Sequence, residues 1–358
     1  VTGERESGSS RVKVSDVPSR SMTREECAAQ TEVDATMWIR SRFAMCESTW
    51  LYITWLVNGR PVGVSQFTGN AIATVPDAKS RQIDLDYYFH DFVKVGTVPS
   101  GVVLTPSPEY TTVPKVTLYE GDVYPRNETW EQWAAQSPVH HSLWVEAPLG
   151  QGMAPDDGIW AIWNYEIKIK FPAGWVPIDD EMGFSSFGLR WDFAPYLGDA
   201  PGAALSYNVS PLRYSKSANE GEVALHIDDA INRPERTLPV NPNKKVPGTS
   251  PSDPLHRLYE LYEPDRYEEN RANAIAECVA ADPDYASKGL DCDEYPFAST
   301  FEGTARADYE EGYPQKNWSA RALGLSSNRS AGAQLNTYYQ RNRILHGEND
   351  GYYLQIIP

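Results

Sequence analysis

Alternating apolar and polar positions dominate the first 230 or so residues. In LYITWLVNGRPVGVSQF (51–67) two alternating runs flank Asn58-Gly59, a dipeptide suited to the two positive-φ positions of a tight hairpin turn. RQIDLDYYFHDFVKV (81–95) alternates through Ile83, Leu85, Tyr87 and Phe89. IWAIWNYEIKIKF (159–171) puts Tyr165, Ile167, Ile169 and Phe171 on one face, and EVALHIDDAI (222–231) reads as a last strand. Strands at this spacing, separated by Pro and Gly turns, predict an antiparallel, sandwich-like domain over 21–231.

The pattern then breaks. Residues 232–254 carry six prolines in 23 positions and no aromatic. Proline fixes φ and removes a donor, so this stretch is expected to be an extended linker outside any core. Residues 1–20 are polar and read as a flexible lead-in. From 255 to 358 the period changes. Leu255, Leu258 and Leu261, then Ala272, Ile275, Ala276 and Val279, recur at helical spacing. SSNRSAGAQLNTYYQRNRIL (326–345) reads as a helix capped by Ser326 or Ser327, with Leu335, Tyr338 and Tyr339 on one side. GYYLQII (351–357) closes as a short strand. The order describes a small α+β domain.

Composition narrows the classes. A 358-residue chain with 41% hydrophobic residues can bury two cores, and 11 Trp and 21 Tyr against five Met favour sheets over bundles. No apolar run approaches the roughly 18 residues of a membrane helix, so no membrane span is expected. No charged-then-apolar leader stands at Val1, so a signal peptide is expected to be absent or already removed. The net charge of −17 argues against a general nucleic-acid coat. It leaves room for a local basic groove.

The four cysteines fall as two local pairs, Cys27 with Cys46 and Cys278 with Cys292, and none lies in a CxxC. That spacing predicts two disulfides and an oxidising, secreted setting. The alternative is four buried thiols.

Candidate chemistry concentrates in two segments near the C-terminus. DCDEYPFASTFEGT (291–304) brings Asp291, Asp293, Glu294 and Glu302 together. Crowded carboxylates repel, and a hard divalent cation relieves them. In a strand, Asp291 and Asp293 share one face and Glu294 takes the other. The second segment, residues 316–343, holds Lys316, Arg321, Arg329, Arg341 and Arg343 with no acid, interleaved with Trp318, Tyr338 and Tyr339. Cations with aromatics suit phosphate contact and stacking. Metal-assisted phosphodiester cleavage needs both kinds of segment.

These motifs resemble the NucA/NucB deoxyribonuclease family. Asp293-Glu294-Tyr295-Pro296, Glu302-Gly303 and Asn328-Arg329-Ser330-Ala331-Gly332 stand in the family's order. The resemblance covers about 255–358 and implies a ββα-metal nuclease domain with one Mg²⁺ or Mn²⁺ and sequence-nonspecific cutting of DNA. It implies that Asp293 is the general base on water, with Glu294 able to exchange roles. Glu302 would orient the site or bind metal-bound water. Asn328 would ligate the ion through its amide oxygen with Asp291 beside it, and Arg329 would touch phosphate. Lys316, Arg321, Arg341, Arg343 and Tyr338 are the expected DNA-binding set. There are departures: Thr304 follows Gly303, and the helix offers Gln334, Asn336 and Gln340 where an acidic ligand is expected.

The function this implies is a secreted endodeoxyribonuclease, a toxin or a nutrient-scavenging enzyme, with an immunity or inhibitor protein as a second partner class. The competing expectation is a β-rich adhesion or sugar-binding protein with an inactive nuclease-like tail, using Trp130, Trp133, Trp160 and Trp163 for stacking. His90, His140, His141, His256 and His346 carry no spacing that argues for a site.

Overall fold

The computed structural model describes residues 19–31, 36–77, 80–111, 116–121, 127–147, 157–176, 179–198, 201–206 and 208–358. Most of the expected lead-in lies outside them. The N-terminal half contributes α1 (Arg24–Gln30), β1 (Thr36–Ser41), β2 (Ala44–Val57), β3 (Arg60–Thr74), β4 (Gln82–Gly96), β5 (Val103–Thr111), β6 (Thr117–Glu120) and β7 (Glu128–Thr129). After α2 (Trp130–Ala135) come β8 (Val139–Glu146), β9 (Gly158–Lys170), β10 (Glu181–Gly183), β11 (Phe187–Asp192) and β12 (Gly202–Ser206).

Two antiparallel sheets result. One runs β1-β2-β3-β4-β8-β6; the other runs β12-β11-β9-β5-β7, with β10 on β9. Asn58 and Gly59 both take positive φ, 51° and 73°, and turn β2 into β3 as their chemistry demands. Along β9 the residues Ile159, Ala161, Trp163, Tyr165, Ile167 and Ile169 are buried and their neighbours are not. These side chains meet Leu51, Ile53, Trp55, Leu85 and Phe89 from the facing sheet in one core. Trp130, Trp133 and Trp163 belong to that core, at most 2% exposed, so three of the four tryptophans considered for sugar stacking are packing residues.

The C-terminal half contains β13 (Ser210–Ser215), α3 (Gly221–Asn232), β14 (Leu255–His256), α4 (Pro264–Ala281), β15 (Leu290–Tyr295), α5 (Arg306–Tyr309), β16 (Ser319–Gly324), α6 (Leu325–Arg341) and β17 (Gly351–Ile357). β17 sits between β13, parallel to it, and β14, antiparallel. β15 and β16 form a separate antiparallel pair that runs straight into α6.

Three expectations are corrected here. Residues 222–231 are helix, not strand. Val223, Ala224, Ile227 and Ala230 are buried at helical spacing and join Leu335 and Tyr339 of α6 in a second core. Residues 210–232 therefore pack with the C-terminal half, ahead of the proline-rich stretch.

That stretch is not a free linker. Leu238 bridges to Ala320, Thr237, Lys244 and Val246 are buried, and the Pro247 carbonyl accepts the Tyr295 hydroxyl at 2.8 Å. Its prolines need few backbone partners, so it can lie against the β15–β16 pair as a strap.

Finally, α4 starts only at Pro264 and buries a face other than the expected apolar one: Arg266, Asn270, Ala274 and Cys278 face inward while Ile275 and Val279 are exposed. The disulfide and the loop contacts of Asn270 choose that face. Asn270 Nδ2 donates to the Ala298 and Thr300 carbonyls at 2.9 and 3.2 Å. The helix 326–345 expected from sequence is α6, which ends at Arg341; no serine side chain caps it, and the N–H of Gly324 just ahead of it is bonded by Glu222.

Candidate active site

β15 carries the acids in an ordinary alternation. Cys292 and Glu294 face α4, where Cys292 is disulfide-bonded to Cys278 with Cα atoms 6.1 Å apart. Asp291 and Asp293 face α6 and α3. Asn328, in the first turn of α6, donates its amide to Asp291 Oδ2 at 3.0 Å. Asp293, 5% exposed, meets His226 of α3, with Oδ2 2.5 Å from Nδ1. The other pair, Cys27–Cys46, fixes α1 to β2 at a Cα distance of 6.0 Å.

A cavity of about 430 Å³ opens along this strand. Asp291, Asp293 and Glu294 form one part of its wall, Asn328 and Arg329 of α6 another, and Arg271 of α4 a third. Arg329 and Arg271 are exposed. Burial pushes the Asp293 carboxyl well above the usual carboxylate range, with Arg321 opposing. Burial and the neighbouring Asp293 charge push Glu294 up to about 7, against the pull of Arg271. One buried and two half-buried acids beside two exposed guanidinium groups can hold a phosphate and accept a proton near it.

The remaining expected site residues do not join this cavity. Glu302 is 5% exposed and spends both oxygens on His256: Oε1 lies 2.8 Å from Nδ1 and Oε2 accepts the backbone N–H at 2.8 Å. That bond raises the His256 pKa. Gly303 follows because a Cβ there would fall 2.4 Å from the Asn270 side chain. The Glu-Gly pair thus ties a loop to β14 and α4.

Arg321 is paired with Asp229 at 2.8 Å. Arg343 is 2% exposed and bound to Asp192 of the sandwich, and Tyr338 is 9% exposed with its hydroxyl on Ser210. These two are corrections to the expected DNA surface: the stripe Leu335, Tyr338, Tyr339 is the core face of α6. Lys316 and Arg341 are exposed but do not line the cavity. His346 accepts the Tyr259 N–H at 3.1 Å and also lies apart from the acids.

Two residues beside the acids went unmarked in the sequence, His226 behind Asp293 and Arg271 on the cavity wall. His226 sits among Val223, Ala224 and Ile227, and only a helical reading of that segment reveals one buried face carrying an imidazole. Arg271 follows Asn270 on α4, and only the true buried face places it beside Glu294.

Acids, amides and arginines thus line one cavity in a small α+β domain joined to a β-sandwich. The C-terminal region has a family to go with that site: residues 258–352 match the family model Deoxyribonuclease NucA/NucB, which supports a DNase domain there. No curated protein and no solved structure matches the chain. Among the described residues no helix is long and apolar enough to cross a membrane.

Proposed function

We propose that the chain is a secreted, divalent-metal-dependent endodeoxyribonuclease that cuts DNA without regard to base sequence. The observation that carries this reading is the shared cavity of Asp291, Asp293, Glu294, Asn328, Arg271 and Arg329 inside the region of the family match. Two disulfides are compatible with an oxidising, extracellular setting.

The donor set bears on the metal. Among the described residues no three His, Cys, Asp or Glu side chains are grouped as ligands, which does not suit a closed zinc site. Asp291 and Asn328 lie in hydrogen-bond contact and offer hard oxygens. That is enough for a Mg²⁺ or Mn²⁺ that keeps most of its waters and takes substrate phosphate as a further ligand. We read β15, β16 and α6 as the ββα-metal arrangement on this basis. When bound, the ion supplies Lewis-acid stabilisation of the charge that develops on phosphate.

The protein's own part is positioning and proton transfer. Arg329 and Arg271 hold the phosphate from two sides. Asp293 accepts a proton from a water aligned opposite the 3′ oxygen, and the P–O3′ bond breaks as the new P–O bond forms. Glu294, raised toward neutrality, lines the same cavity from the other face of β15 and can exchange a proton there. No side chain in this arrangement reads a base edge, so cutting tolerates any sequence.

Nicking of supercoiled plasmid with Mg²⁺ or Mn²⁺, with and without EDTA, tests the proposal. Nicking that stops with chelator and in D293N is the expected result. Nicking untouched by EDTA would remove the metal, and no nicking with any divalent ion would remove the nuclease.

A further inference from the structure

The family match starts at residue 258, yet the side chain closest to the expected general base comes from α3, well before it. His226 is fully buried. Both ring nitrogens are spent on the two strands of the site: Nδ1 lies 2.5 Å from Asp293 Oδ2 on β15, and Nε2 lies 2.7 Å from Ser319 Oγ on β16. Burial obliges both ring nitrogens to find partners, and here the partners are a catalytic candidate on one strand and a serine on the other. The pairing also fixes the tautomer. Ser319 can donate its hydroxyl to Nε2, which leaves the proton on Nδ1 for the carboxylate.

The helix that carries His226 is itself locked to the same frame. Glu222 Oε2 accepts the Gly324 N–H at 2.8 Å, at the entry of α6, and the Glu222 N–H donates to Ser327 Oγ at 3.2 Å. Gln334 Nε2 donates to Glu220 Oε2 at 2.6 Å, and Arg321 holds Asp229 at 2.8 Å. The imidazole therefore cannot drift independently of β15 and α6.

We propose that His226 is a positioning residue for this active site, its Nδ1–H fixing the Asp293 carboxylate in the orientation that takes the proton from water. The proposal rests on the reading of Asp293 as that base. Burial keeps the imidazole neutral, its pKa down to about 3, so it acts as a hydrogen-bond donor and not as a second charge. A carboxylate buried without such a donor loses both orientation and stabilisation of its charged form.

Full-length wild type, D293N, H226L and H226N are compared by plasmid nicking for kcat and KM, with thermal melts for folding. H226L removes the donor at similar size. Its kcat should fall about 100-fold with KM within about twofold, the mark of an interaction used in the transition state. H226N places an amide N–H near the Nδ1 position and should restore kcat to within about tenfold of wild type.

A folded H226L with wild-type kcat, beside an inactive D293N, overturns the role of His226 alone. A fully active D293N overturns the assignment of the base and this inference with it. If H226L does not fold, H226N decides. Near-wild-type kcat supports the proposal, and a 100-fold loss in a folded H226N overturns it.

Discussion

Arg343, just past the end of α6, lays its guanidinium on Asp192 of β11, with Nε 3.2 Å from Oδ2 and both residues buried. Arg190 donates to the same Asp192 oxygen at 3.0 Å, and Asp350 receives both Arg190 and Arg42. The sandwich and the family-matched region are thus joined through a buried ion network. Removing one member leaves its partners charged and buried, which typically costs about 3–5 kcal/mol. R343M should lower the unfolding free energy of the full chain by that order in urea titrations. G202A should act in the same direction, because its Cβ would fall 2.4 Å from the Arg343 Cζ. A change under about 1 kcal/mol in R343M would show that the network does not hold the two parts together.

The fold also sets where the catalytic unit can be cut. A fragment of residues 250–358 keeps the family-matched region but loses β13, the parallel neighbour of β17, and α3, which carries His226 and the Glu222 bond to α6. This fragment should show little native circular dichroism and no plasmid nicking, while the full chain cuts. Activity in the fragment equal to that of the full chain would make β13 and α3 dispensable, and activity above it would point to the sandwich as an inhibitor.

How much of this could be read from residues alone depends on how local each signal was. The Asn58-Gly59 hairpin, β9 and β17 follow from period two and turn chemistry within a few residues. The two disulfides follow from pairs 19 and 14 residues apart. Residues 222–231 fit either period, since Val223, Leu225 and Ile227 alternate while Val223, Ala224, Ile227 and Ala230 share a helix face. The choice is made by partners far away, among them Asp293, Ser327 and Gly324.

The same holds for charge. The window 316–343 looks like one basic surface, but Arg321 and Arg343 are taken by Asp229 and Asp192, and no spacing rule names those aspartates. Within the acid segment, Asp291, Asp293 and Glu294 do share the cavity with Asn328 and Arg329. Glu302 does not, because its partner is His256.

The disulfide between Cys278 and Cys292 sits one residue from both Asp291 and Asp293. Closing a loop of 14 residues stabilises the folded chain by about 3 kcal/mol through the unfolded state. The C278A/C292A double variant should lose roughly that amount in urea unfolding and lose nicking activity at temperatures where wild type is still folded. Removal of Cys27–Cys46 should lower stability without changing kcat at 20 °C or so, since that bridge lies in the sandwich. Equal effects of the two bridges on kcat would mean that the disulfide does not hold β15 against α4 for the reaction.

Glu294 gives the stability a pH dependence whose sign is fixed. Its folded pKa of about 7 lies above the ordinary 4.5. Between those values the folded chain holds a proton that the unfolded chain has released, so this group's contribution falls as pH rises from about 4.5 to about 7 and is flat beyond. At 1.36 kcal/mol per unit, the penalty above neutrality has an upper bound of about 3 kcal/mol. E294Q removes it. The variant should be more stable than wild type at pH 8, about equal to it at pH 4.5, and slower in nicking if the carboxylate exchanges a proton with the reacting water. Urea titrations of both proteins at the two pH values check the slope. Parallel pH profiles would show that Glu294 titrates as a solvated acid, and would remove it from the chemistry proposed for the cavity.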